Sequence, residues 1–194
     1  MDNYLDWAIK EEVQTTEMLE VLHEANWRNI RNSSVVLRGL VNRAIYTDVD
    51  MFQWLVEHGA RLEPNDLRYA GLSRVSVPVM RYLVDEFGTD PLQGTCTLQV
   101  AAGRSQEDLV DFLLDVGLDI NAIPPQLDVR EPGPYTAFYE AAVHHRDLGV
   151  TRLLVQRGAN INQPYSLYSG QSVLEAARAE DDVEVVAILE QTAL

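Results

Sequence analysis

The chain has 194 residues, 46% hydrophobic and 23% charged, a balance that supports a packed core rather than a disordered polypeptide. A formal net charge of −15 argues against unaided binding to nucleic acid, which needs a basic footprint, and against docking on an anionic membrane. Cys96 is the single cysteine, so no intrachain disulfide framework is possible.

The start of the chain, MDNYLDWAIKEEV, has no basic segment leading into an apolar run, and no stretch approaches the ~18 apolar residues of a membrane span. An intracellular, cytoplasmic protein is the expectation, with the acidic excess keeping it soluble and monomeric. In chain order, LDWAIK followed by TEMLEVLHEA reads as a helix pair over 1–34 that caps the N-terminal end. The window from Ala25 to Thr47 contains no acidic residue but holds Arg28, Arg31, Arg38 and Arg43.

Five further helix pairs and one insertion follow. Residues 35–65 carry Leu40, Ala44, Leu55-Val56 and Gly59-Ala60, with Trp54 at helical spacing in the core and His58 structural. Residues 66–94 carry Leu67, Ala70, Leu83-Val84, Gly88 and Asp90; Pro78 falls at the start of the second helix, where it is tolerated. Residues 95–122 are the most regular, with Leu98, Val100, Ala101 and Ala102 on one short helix and Leu109, Val110, Leu113 and Leu114 on the next. Gly117 is placed to end that second helix in the left-handed conformation, and Asp119 and Asn121 to bond the turn after it. An insertion over 123–135 brings four prolines between Ala122 and Tyr135. Residues 136–163 repeat the pattern with one extra residue in the turn, and 171–194 repeat it without the final Gly. Self-similarity at this period signals a stacked architecture.

The unit from Cys96 to Ala122 resembles an ankyrin repeat, whose consensus runs roughly TPLHLAA, a turn, an IVxxLL helix, then GADVNA. Cys96, Thr97 and Gln99 replace the Thr, Pro and His of that consensus. The stretch Thr136–Gln163 is a second good match, and the long loops between units are similar to those of fungal ankyrin proteins. The resemblance implies an all-α ankyrin-repeat solenoid of about six stacked helix pairs in a single curved domain. It further implies a protein–protein interaction module without catalysis, binding through its concave face and inter-repeat loops. On that analogy the contact residues are Arg104, Tyr135, Tyr139, His144, Tyr165, Tyr168 and Glu180, and the acidic charge suits a basic partner. Leu113, Asp119 and Asn121 also fit the pattern of asparagine hydroxylation in ankyrin turns, with Asn121 as acceptor.

Motifs of chemistry are sparse. There is no Cys pair, no HExxH, no Gly-rich phosphate cradle and no Gly-x-Ser-x-Gly elbow, so no catalytic residue, metal or cofactor is expected. Cys96 reads as a packed core residue and Phe138 as core in place of the consensus Leu. His144 and His145 fall in the turn between two helices, one of them exposed on the concave side. Tyr165 and Tyr168 suit two roles equally, as anchors for a partner or as packing for their own loop. The alternative function is a small-molecule-binding or catalytic protein whose groove is closed by the Pro-rich and Tyr-rich insertions. In that case Glu140 and Glu175 would face each other across adjacent helices, with Tyr139 or His144 assisting acid–base chemistry.

Overall fold

The computed structural model describes residues 20, 40–41, 44–45, 49–58, 60, 62–71, 75–124 and 135–191. Apart from Glu20, the helix pair expected at 1–34 lies outside these residues, as does the Pro-rich core of the 123–135 insertion. Apolar residues at helical spacing build each helix, and caps and breakers end it. Helices α1, α2 and α3 span Val49–Glu57, Pro64–Gly71 and Val77–Phe87. Pro78 lies in the first turn of α3 behind the N-cap Ser76, where no intrahelical donor is lost. A 3-10 turn at Asp90–Leu92 leads into α4, Thr97–Gly103, and α5, Glu107–Asp115. Helix α6 starts at Ala137–Tyr139 and widens into a π-helical turn at Glu140–His144, followed by α7 at Leu148–Gln156. A hairpin of β1, Pro164–Ser166, and β2, Ser169–Ser172, precedes α8, Val173–Ala179, and α9, Val183–Gln191.

These helices form two layers. The inner one stacks α2, α4, α6 with its π turn, and α8 in that order, and the outer one stacks α1, α3, α5, α7 and α9. Each helix from α2, α4, α6 and α8 packs on the outer helix that follows it. Outer helices α3, α5, α7 and α9 each bury a leucine completely, Leu83, Leu113, Leu154 and Leu189. The inner helices approach closely because their contact residues are small, with Ala70, Ala102, Ala142 and Ala177 all buried. Gly71 shows how close: a Cβ there would lie 2.2 Å from Oγ1 of Thr97 on the next inner helix.

Gly117 and Gly158 close α5 and α7 with φ of 92° and 87°, the left-handed region expected for Gly117. Between them the turns are tied repeat to repeat. Oδ1 of Asn121 accepts from the N–H of Asn160 at 2.8 Å, and the carbonyl of Asn121 accepts from Nε2 of Gln163 at 2.9 Å. Outside, Arg157 reaches back to Asp111 at 2.6 Å and to Asp115.

Several sequence expectations are met here. Cys96 and Phe138 are buried, and His58 is structural, stacking on Trp54 with ring centroids 3.8 Å apart. Trp54 itself packs on the margin of the core rather than inside it. The tyrosine loop differs from expectation, because it is an antiparallel hairpin rather than an irregular loop. Its backbone groups also serve the preceding repeat: Tyr135 bridges to Ser166, and the N–H of Thr136 donates to the Tyr165 carbonyl at 2.9 Å. Among the described residues no helix is long and apolar enough to cross a membrane.

Candidate functional site

One inserted residue creates the most individual part of this surface. The N-caps Cys96 and Thr136 are 40 residues apart, but the positive-φ turn residues Ser105 and Arg146 that follow them are 41 apart. For Cys96 and Ser172 the corresponding spacing stays at 76, as Ser105 and Asp181 show. The extra residue is absorbed as the π turn: the N–H of His145 donates to the Glu140 carbonyl at 2.9 Å, and that of Asp147 to the Ala141 carbonyl at 2.8 Å. Such one-turn π bulges are rare and concentrate at functional sites.

Widening the turn sets His144 and His145 both over Glu140. Counted from its N-cap, Glu140 stands where Val100 and Ala176 stand in the flanking units, and like them it is buried, at 2% exposure. Its Oε2 lies 2.9 Å from Nδ1 of His144 and 3.7 Å from Nε2 of His145, while its Oε1 is buried with no hydrogen-bond partner. The imidazoles are half-exposed, and their rings lie 4.6 Å apart. Gly103 of the preceding inner helix borders the group, since a Cβ there would come within 3.0 Å of the His145 ring and 3.7 Å of Glu140 Oε2.

Beside this group the tyrosines converge. Thr136 caps α6, its Oγ1 accepting from the N–H of Tyr139 at 3.1 Å, which presents Tyr139 toward the hairpin. Tyr139 stacks on Tyr165 at 4.0 Å and 13°, and Tyr135 tilts against both, at 4.9 Å and 6.1 Å. Burial, then the neighbouring Tyr165, Tyr135, Glu140 and Glu180, push the Tyr139 phenol above its ordinary value of 10.0. Tyr168 points away at the hairpin tip, 83% exposed beside Leu167 at 60%.

The structure therefore gathers Tyr135, Tyr139 and Tyr165, with Glu180 near enough to Tyr139 to act on its charge, and it sets His144 on Glu140, the residue after Tyr139. Arg104 is exposed in the turn after α4, and Glu180 pairs with Arg146 at 3.4 Å. Asn121 lies in the turn after α5, its side chain committed to Asn160. Of the two carboxylates suggested to face each other, Glu140 is buried and Glu175 is exposed. Glu175 closes a capping box, accepting from the N–H of Ser172 at 2.8 Å while its own N–H donates to the Ser172 hydroxyl. Those hydrogen bonds to Ser172 hold its carboxyl below the ordinary value. Sequence reasoning notes His145 only beside His144 in the turn and misses Gly103; the odd turn length is the signal that leads to both.

A family model described as ankyrin repeat matches residues 135–165, the unit that carries the tyrosines and the π turn. The crystal structure of an ankyrin repeat protein superposes with a TM-score of 0.61 at 22% identity, covering 84% of this chain and 89% of that one. The chain therefore has the fold of an ankyrin-repeat solenoid. No curated protein matches it in a sequence search. In ankyrin terms Tyr139 takes the His of the TPLHLAA consensus and Glu140 the Leu after it. The ankyrin fold is in general a protein–protein interaction module.

Proposed function

We propose that this ankyrin solenoid holds a protein partner on the face built by its inner helices and the β1–β2 hairpin, without catalysing a reaction. The observation that carries this reading is the tyrosine cluster. Three rings from two separate elements interlock half-buried, next to a hairpin tip that exposes Leu167 and Tyr168. Aromatic groups already held in place lose little entropy on binding and contribute large apolar area, the usual character of an interface anchor. In this reading Tyr168 reaches the partner first, while Tyr135, Tyr139 and Tyr165 form a rigid platform behind it. Arg104, His144 and Glu180 supply the polar rim.

The net charge of −15 favours a basic partner and speeds its approach, and it favours a monomer in solution. Hydroxylation of Asn121 is a separate proposal, tested by an oxygen adduct in the intact mass of protein from its native source. The interface is tested with a Leu167→Ala/Tyr168→Ala variant, whose exposed side chains leave the fold intact. Proteins captured by the wild-type chain are identified, and the affinity of the strongest is measured against both forms. Binding is expected to weaken by more than about tenfold, since truncating an anchor costs upward of ~2 kcal/mol. Equal affinity for both forms would place the interface elsewhere.

A further inference from the structure

We propose that Glu140, His144 and His145 form a three-ligand site for a divalent late first-row transition ion, with zinc as the ion it fits best. The donor atoms of these residues all lie within 4.8 Å of one another. Four-coordinate zinc with bonds of about 2.0–2.1 Å sets its donors roughly 3.3 Å apart. The two distances to Glu140 Oε2, 2.9 Å and 3.7 Å, bracket that value. Rotation of half-exposed imidazoles about their own side-chain bonds closes the remainder.

The state of Glu140 points to a ligand independently of this spacing. Its carboxylate is buried at a position that holds Val100 and Ala176 in the flanking units. One oxygen is met by His144, and the other, Oε1, has no partner. An imidazole–carboxylate pair accounts for the first oxygen and leaves the second as an uncompensated buried acceptor, which is costly to maintain. A bound cation satisfies both. The chemistry of the donors selects the ion: two imidazoles and one carboxylate suit zinc and its neighbours, whereas calcium and magnesium require oxygen shells. Three protein ligands leave a fourth position open, and the exposure of His144 and His145 turns it toward solvent.

The backbone is built around the same group. The π turn places ligands at i, i+4 and i+5 on one side, which a regular α turn does not. Gly103 leaves the space in which the His145 ring lies against Glu140, because even a methyl group there would crowd the imidazole at 3.0 Å.

The full chain, freed of metal by chelation and dialysis, is titrated with zinc chloride by calorimetry, and its cobalt(II) form is followed by visible absorption. One saturable equivalent is expected, together with the intense bands of four-coordinate cobalt. Two variants remove the site by different routes: His144→Ala/His145→Ala cuts two exposed ligands, and Glu140→Val installs the residue that the neighbouring unit tolerates. Each is expected to weaken zinc binding by more than about tenfold and to lose the cobalt bands. Excess magnesium is expected to leave zinc binding unchanged. If the double-histidine variant takes up zinc with wild-type affinity, the ion sits elsewhere on the acidic surface and the site is refuted. Absence of saturable zinc binding by the wild-type chain refutes it equally.

Discussion

In the unit that begins at Cys96, the fourth residue of the inner helix is Val100, buried against its neighbours; in the unit that begins at Thr136, the same place holds Glu140. Both units keep a buried outer leucine and a closing left-handed glycine, and the inner helix of each stacks between two inner neighbours. They part company over one inserted residue, two histidines and a tyrosine where the other has Gln99. The regular unit spends its inner face on packing, since Gln99 bonds the turn carbonyl of Ala122 at 3.0 Å. The irregular unit turns the same face into an aromatic platform and a histidine-covered carboxylate. Stacked repeats tolerate this because each contacts only its neighbours, so a departure in one unit leaves the rest of the stack in register.

The comparison is broken most severely at what the units have in common. Phe138 and Leu98 occupy equivalent core positions, both almost fully buried. Phe138→Ala is expected to destabilise by about 3–5 kcal/mol and Leu98→Ala by roughly 2–5 kcal/mol, read from urea denaturation. A much smaller loss at either would mean that its unit does not share the common core. A reciprocal exchange two residues further on tests the difference itself. Val100→Glu, which buries a carboxylate with no histidine above it, is expected to cost about 3 kcal/mol. Glu140→Val is expected to stabilise the metal-free chain by about 1–2 kcal/mol, because it removes an acceptor left unpaired. Destabilisation by Glu140→Val would show that the histidine pair more than offsets that burial.

Much of the regular unit is legible from residue order, and little of the irregular one. Leu-Leu pairs followed by glycine mark the outer helices, and Pro78 and Gly117 punctuate as their chemistry requires. The hairpin at 164–172 escapes such reading, because serine, glycine and proline carry no apolar alternation from which a strand is recognised. The pairing of Glu175 with Ser172 was open to view, being the local Ser-x-x-Glu box, yet long-range reasoning paired Glu175 with Glu140 instead. For Glu140 itself, spacing rules based on the α-helix place His144 above it and His145 off to one side. Only the π turn brings both to one carboxylate, and a π turn is invisible until the chain is seen to carry one residue too many.

Caps give a finer contrast. Thr136 accepts a hydrogen bond from the N–H of Tyr139, whereas the side chain of Cys96 does not cap the helix it precedes. Thr136→Ala is expected to cost about 1 kcal/mol in stability. It is also expected to loosen Tyr139 from Tyr165, seen as line broadening or shift changes of their ring protons in NMR spectra. Unchanged tyrosine resonances would mean that the hairpin alone holds the stack.

The smallest expected effect concerns pH and the caps of the outer helices. Asp147 caps α7, its Oδ1 accepting from the N–H groups of Gly149 and Val150 at 2.8 and 3.0 Å, while Gln106 makes no such bond at the start of α5. Burial acts to raise the Asp147 carboxyl, but the Ser105 hydroxyl and those two N–H groups outweigh it and hold it below its ordinary 3.8. A carboxyl whose folded-state value is depressed stabilises the fold fully above its unfolded value and loses that contribution as pH falls through the folded one. Asp147→Asn keeps an acceptor oxygen at the cap and removes the titration. The stability difference between wild type and this variant is therefore expected to stay constant from neutral pH down to about 4 and to shrink below it. The other carboxylates titrate alike in both proteins and cancel in the difference. A difference that remains flat into the acid would show that Asp147 holds the helix through its geometry and not its charge, and would put its cap on the same footing as that of Thr136.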